Sequence, residues 1–396
     1  MTTVVHQRNR NDLSFKGILL ITSSFAVMAG ATVAPALPAM QRFFVDVDHS
    51  DLLVRLVLTL PALFITLVSP LVGYLIDRFS RKPVLIGSVI VYGLAGASGF
   101  VLDSLYLILV GRAILGLATG GLMTSITTLI TDYYDGTERA NFLGIQSGFM
   151  GFAGTVFLTL GGLLADVNWR FAFLIYLTAL LVVPFIITIL YEPIRNKTMQ
   201  IDLSLPIETF PISTMAFGYF NIGFIQLVFY SVPIHLPFYL EDILNASASA
   251  SGIAIAILSM TFALMSGAFG WFLSRFGHVP LLVSGLLVTA ASYALLGVAT
   301  GWWLIIIAML GAGVGIGLVT PNMTILLADA SPPGLRGRVL GGSTTSLFLG
   351  RFIVPFVTQP MLSATSFGGM YLIIAAMTAA VAGAVLIRRP RHTRIE

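Results

Sequence analysis

Twelve stretches of this 396-residue chain run for about twenty residues each with almost no charge: 17–38, 52–75, 84–102, 105–131, 140–164, 170–190, 212–239, 248–273, 280–299, 302–328, 338–362 and 368–387. A helix needs about 20 apolar residues to cross the hydrocarbon core of a bilayer. Inside that core every backbone amide must be satisfied within its own segment or a closed barrel. Barrel strands alternate apolar and polar residues over about 10 positions, whereas these stretches are continuously apolar. Twelve transmembrane helices are therefore predicted, in an all-α membrane protein. The mean hydropathy of +0.95 leaves no room for a sizeable soluble domain. Arg8, Arg10 and Lys16 before the first stretch give it the look of a signal peptide. It is too long for one, so a retained first span is expected.

The basic residues orient the spans. With the N-terminus placed in the cytoplasm, sixteen of the 21 Lys and Arg fall on the cytoplasmic side. Only Arg42, Arg55 and Arg170 fall outside, and Arg112 and Arg351 lie within spans. That asymmetry predicts cytoplasmic termini in a cytoplasmic (inner) membrane. It also accounts for the pI near 9.4 without a nucleic-acid partner, and no basic run carries interleaved aromatics. Cysteine is absent, so there is neither a disulfide framework nor thiolate chemistry.

The chain repeats itself. Adding 197 to a residue number carries Gly73 to Gly270, Arg78 to Arg275, Phe79 to Phe276 and Pro83 to Pro280. It also carries Gly116 to Gly313, Gly120 to Gly317, Asp132 to Asp329, Arg139 to Arg336 and Gly144 to Gly341. One ungapped offset over about seventy residues, matching Gly, Asp, Arg and Pro, marks an internal duplication in parallel repeats. The polar segment 191–210 falls at the midpoint. The expected domains are a six-helix bundle at 1–190, a linker at 191–210 and a second six-helix bundle at 211–396.

With these residues in view, the chain resembles the major facilitator superfamily. GYLIDRFSRK at 73–82 is similar to that family's signature between spans two and three, GRAILGLATGG at 111–121 to its fourth-span pattern, and TERANFLG at 137–144 to its usual start of span five. The short loops and PALP at 35–38 resemble the branch that exports drugs and small metabolites. GTVFLTLGG at 154–162 keeps that branch's glycine pair and lacks the Gly-Pro of its proton-driven members. The resemblance implies two pseudo-symmetric six-helix bundles that rock around a central cavity. It also implies a conformational latch at the cytoplasmic rim, made by Gly73, Asp77, Arg78, Arg81, Asp132, Arg139 and Arg336. In that latch Asp77 faces the start of span eleven near Arg336, and Arg81 pairs with Asp132. In the second copy Ser274 stands for Asp77 and His278 for Arg81, so a weaker latch is expected there.

Candidate cavity residues come from polar side chains inside spans. An Arg at mid-span costs at least about 2.5–3.5 kcal/mol on insertion scales. Arg112 and Arg351 map onto Met309 and Gly154 under the offset, so neither belongs to the shared scaffold. Arg112 either faces substrate or is capped by backbone carbonyls, with span one as the expected donor of them. Arg351 either faces substrate or snorkels to an interface. Tyr219, Gly223, Gln226 and Tyr230 share one face of span seven, for a cavity or for helix–helix hydrogen bonds. Thr119, Gln146 and Asn322 complete the candidate lining. No acid lies mid-span, and two buried cations without buried acids favour a substrate with an anionic group. Asp51 and Arg55 read as a plain helix pair, and Glu241 and Asp242 as caps on span seven; His235 could titrate near neutral pH, but between Pro233 and Pro237 it reads as a solvated residue at the outer end.

No phosphate-binding loop, metal-ligand grouping or catalytic triad emerges, so neither an enzyme nor a cofactor is expected. The expected function is a secondary active transporter working by alternating access, exporting a small amphipathic or anionic compound with the proton gradient. The alternatives are an organic-anion uptake or exchange carrier and a channel- or receptor-like membrane protein. The expected partners are a small-molecule substrate, membrane lipid and protons, and the expected state is a monomer.

Overall fold

A computed structural model describes residues 12–193, 212–331 and 336–387. Twelve helices long and apolar enough to cross a membrane occur among them. Span one is Leu13–Ala31, extended by a tight turn at Ala34–Ala36 and a short helix Leu37–Phe43. Spans two to five are Ser50–Phe79, Arg81–Ala97, Leu105–Tyr133 and Gly136–Val167. Span six opens as a 3-10 stretch, Trp169–Leu177, and continues as Thr178–Ile189. Spans seven to ten are Ile212–Leu244, Ala248–Phe276, His278–Gly297 and Trp302–Asp329. Span eleven is broken into Arg336–Phe352 and Val354–Ala364, and span twelve is Phe367–Ile387. Most of the expected linker, including Arg195 and Lys197, lies outside the described residues.

The duplication survives as shared contacts. A Cβ on Gly116 of span four would sit 2.5 Å from the Pro61 carbonyl oxygen of span two. A Cβ on Gly313 of span ten would sit 2.8 Å from the Leu258 carbonyl of span eight, and 61 and 258 differ by 197. Gly120 meets Ile65 and Val68, and Gly317 meets their equivalents Phe262 and Met265. These glycines are the reason spans four and ten can lie against spans two and eight, backbone to backbone. The turn into span three is duplicated as well. Ser80 has φ 73° and ψ 165°, and its counterpart Gly277 has φ 75° and ψ 173°. That region is essentially glycine-only, so the first half carries strain where the second carries none.

The two halves meet asymmetrically along spans five and eight. Gly144, Gly151 and Gly162 share one face of span five, because 7 and 11 residues return a helix to within about 20° of its starting direction. Gly162 packs on Ala248 and Ser249, Gly151 packs on Ala263, and Gly144 has nothing within 4 Å. On span eight, Gly252 and Ala263 meet Leu158 and Gly151, whereas Gly270 on the same face has nothing within 4 Å. The two helices therefore form a V. Its closed end lies away from the chain termini, and its open end lies on the termini side. Those two ends are called the far end and the termini end below.

Candidate functional site

At the termini end, the charged turn is bolted within its own half. Arg81 Nε lies 2.9 Å from Asp132 Oδ2, the pairing that the resemblance implies. Both residues belong to the first half, so this ion pair ties span three to span four and does not join the halves. The backbone N–H groups of Arg81 and Lys82 donate to the two carboxylate oxygens of Glu192, each at 2.8 Å. A carboxylate there answers the positive end of span three's dipole. Lys82 Nζ donates to the Ile187 and Leu190 carbonyls at the end of span six. Arg139 donates to the Tyr134 carbonyl and to Asp135. Gly73, Asp77, Arg78 and Arg336 lie in helices of spans two and eleven, and the cross-half contact expected of them lies outside what is described.

Arg112 is 1% exposed. Its Nη2 donates to the Gly96 carbonyl at 2.8 Å and its Nη1 to the Tyr176 hydroxyl at 3.1 Å. Gly96 lies in the last turn of span three, where carbonyls lack helical donors and a cation is favoured. Tyr176 passes its own hydrogen to the Met28 and Ala29 carbonyls of span one. The Phe173 and Tyr176 rings flank the guanidinium, with centroids at 4.5 and 4.9 Å. Spans one, three, four and six are thus joined through one cation. This is carbonyl capping, with a span-three carbonyl as the direct acceptor and span-one carbonyls reached through Tyr176.

The other candidates divide clearly. Thr119 is fully buried and donates back to the Leu115 carbonyl. Gln146 Nε2 donates to Ser23 Oγ of span one at 2.7 Å. Asn322 donates to the His278 carbonyl and bonds its ring, pinning span nine to span ten. The stripe on span seven faces span eleven. Tyr219 donates to the Val339 carbonyl at 3.0 Å, and Gly223 lies against Gly350. Tyr219 also lines an apolar groove of about 600 Å³ between spans seven, eleven and twelve.

Arg351 stands at the seam between halves. Its Nε donates to Gln226 Oε1 at 2.9 Å, and its guanidinium lies 4.6 Å from the Tyr230 ring centroid and 5.3 Å from that of Phe348. Phe348 clusters with Ala62 and Ile65 of span two. The Tyr230 hydroxyl reaches Gly30 of span one. Both terminal nitrogens of Arg351 are without a partner among the described residues. The break in span eleven sets this position. Pro355 has no N–H for the carbonyl four residues earlier, which is that of Arg351 itself. Sequence reasoning found the Arg and missed the break, although Pro355 was in plain sight.

The far end corrects three expectations. Glu241 does not merely cap span seven: it pairs with Arg42 across the seam. Asp166 of span five accepts from the backbone N–H of Ser249, at the start of span eight. These three acidic and basic side chains border a polar cavity of about 180 Å³. Arg55 is more than a helix partner of Asp51. It is 3% exposed and stacks over Phe238 of span seven, 4.9 Å from the ring centroid. His235 is not solvated: it is fully buried and bonds Thr358. Proline spacing suggested a loose outer end, but Pro233 and Pro237 sit inside a continuous helix.

The family profile named Major Facilitator Superfamily matches residues 19–239 and 215–396. The class C tetracycline resistance protein of Escherichia coli is 26% identical over 374 residues, covering 91% of this chain and 93% of that protein. The quinolone resistance protein NorA of Staphylococcus aureus is 22% identical over 394 residues, covering 96% of this chain and 97% of its own. Among solved structures, a D-xylose–proton symporter superposes with TM-score 0.81 at 18% identity, over 94% of this chain and 96% of the other.

Proposed function

We propose, from the premise that this chain belongs to the Major Facilitator Superfamily, that it exports a small amphipathic or anionic compound by alternating access, coupled to proton entry. Membership makes it an integral-membrane transporter and not an enzyme. The direction, the substrate class and the coupling ion are the proposal, together with an inner-membrane location, cytoplasmic termini and action as a monomer. With the termini in the cytoplasm, the V between spans five and eight opens inward, and a compound would enter from that side.

The observation that carries the substrate class is Arg351. A cation at mid-membrane, held through Nε by Gln226 and set against the rings of Tyr230 and Phe348, offers both terminal nitrogens of its fork at the seam. A planar fork of that kind recognises a carboxylate or a similar pair of acceptors. The adjoining aromatic rings suit an amphipathic body. Relatives named for tetracycline and quinolone resistance make those compounds the first probes.

The test is uptake of a labelled quinolone into proteoliposomes under an imposed pH gradient, with wild type, Arg351→Lys and Arg351→Gln. Saturable uptake driven by the gradient is expected. Losing a charge-assisted hydrogen bond, about 1.5–3 kcal/mol, weakens half-saturation roughly 10- to 150-fold in Arg351→Gln. Uptake indifferent to the gradient overturns the coupling, and unchanged affinity in Arg351→Gln overturns the site.

A further inference from the structure

His235 lies nine residues before the far end of span seven, fully buried. Its Nε2 is 2.7 Å from Thr358 Oγ1. The single hydroxyl hydrogen of Thr358 is already donated to the Val354 carbonyl at 2.7 Å. Thr358 can therefore only accept from His235, so the Nε2 carries the hydrogen and Nδ1 presents a bare lone pair. That Nδ1 is buried and has no hydrogen-bond partner among the described residues. A buried acceptor left unsatisfied costs about 1–3 kcal/mol.

The groups around it are few. From span two the facing charge is the Arg55 guanidinium, backed by Asp51 at 4.0 Å. Span eleven contributes Thr358. Span twelve contributes Phe367, whose ring centroid lies 6.4 Å from that of His235. On span seven itself, Tyr239 donates to the Leu296 and Ala299 carbonyls of span nine and the loop after it, and Glu241 is engaged with Arg42. The only charge that faces the ring among the described residues is a cation from the other half.

We infer that His235 Nδ1 is a proton-binding site that reads the far-end seam: bare when the seam is closed, occupied when it is open. In the closed seam a proton would create a second cation beside Arg55, whose Asp51 partner lies on its own span, on a ring that solvent does not reach. Opening the seam carries Arg55 away with the first half and lets water reach Nδ1. An imidazole in water titrates near pH 6.5. A proton that binds only the open state pulls the equilibrium towards that state. The open-to-closed ratio therefore rises as pH falls below about 6.5, by up to tenfold per pH unit for one proton. This site goes beyond the transport reading and needs neither substrate nor gradient to be seen.

Because the chain has no cysteine, spin labels at Val45→Cys and Asp242→Cys report the far-end separation without background. In lipid nanodiscs, without substrate, the long-distance population of the otherwise unaltered protein should grow between pH 7.5 and 5.5. His235→Gln keeps an N–H for Thr358 and removes the titrating nitrogen. It should be flat over that range. Arg55→Gln removes the facing cation and should move the midpoint to higher pH, which keeps the idea testable even where His235→Gln does not fold. A wild-type population indifferent to pH, a His235→Gln protein that titrates like wild type, or an Arg55→Gln midpoint that is unmoved or lowered overturns the assignment.

Discussion

A single methyl group at Gly162 should tip the balance between the two states. In the closed far end, a Cβ there would sit 2.7 Å from the Ala248 carbonyl oxygen and 2.8 Å from Ser249 Cα. Ordinary contact begins at 3.4 Å, so spans five and eight must part locally by several tenths of an ångström. Backbone cannot rotate away as a long side chain could, and overpacking of this kind costs about 1–3 kcal/mol. With the seam open, the same methyl points into space and costs nothing comparable. Gly162→Ala therefore shifts the closed-to-open ratio roughly 5- to 150-fold towards open. Gly144→Ala is the matched control, on the same helix face with nothing within 4 Å, and should leave the ratio alone. The assay is the Val45–Asp242 label distance at pH 7.5, where the histidine contributes least. A closed population unaltered by Gly162→Ala, or an equal shift in both variants, would refute the V-shaped seam.

Other perturbations test the scaffold. Ser80→Gly should raise the thermal unfolding midpoint by an amount equivalent to about 1 kcal/mol. It relieves backbone strain of about 1–3 kcal/mol, less the larger unfolded-state entropy of glycine; a lowered midpoint would contradict this. Tyr176→Phe leaves Arg112 Nη1 without an acceptor, and calorimetry should register a loss of about 1–3 kcal/mol, with stability equal to wild type counting against the hub. Glu192→Ala should lower stability by about 1–2 kcal/mol through the lost helix N-terminal anchor, while label distances across the far end stay as in wild type. A change in those distances would mean that the turn at Arg81 does communicate between halves.

Much of the fold was legible because its signals are one-dimensional. Apolar length gives the number of spans. The offset of 197, read from Gly, Asp, Arg and Pro, predicts contacts as well as topology: Gly116 on Pro61 and Gly313 on Leu258 are the same contact made twice. The glycine pair kept in GTVFLTLGG also acquires a meaning, since Gly161 admits Thr32 after span one and Gly162 admits span eight. The candidate site was less legible, because partners there come from distant segments. Arg112 and Arg351 look alike in sequence, as mid-span cations outside the repeat. They separate only when one is found on the last-turn carbonyl of span three and the other beside a proline break. His235 and Arg55 were misjudged for one reason: Arg55 is covered by Phe238 of the other half and His235 by Thr358 and Phe367 of distant spans, and no local pattern reports that.

The account stands on two halves that part at the far end during every cycle. Its most direct test is to replace Arg42 and Glu241, which pair across that end, with cysteines and bridge them with a short, reducible bifunctional thiol reagent. Bridged protein in proteoliposomes should stop turning over and should recover when the bridge is reduced. Undiminished turnover with the bridge intact would contradict the account.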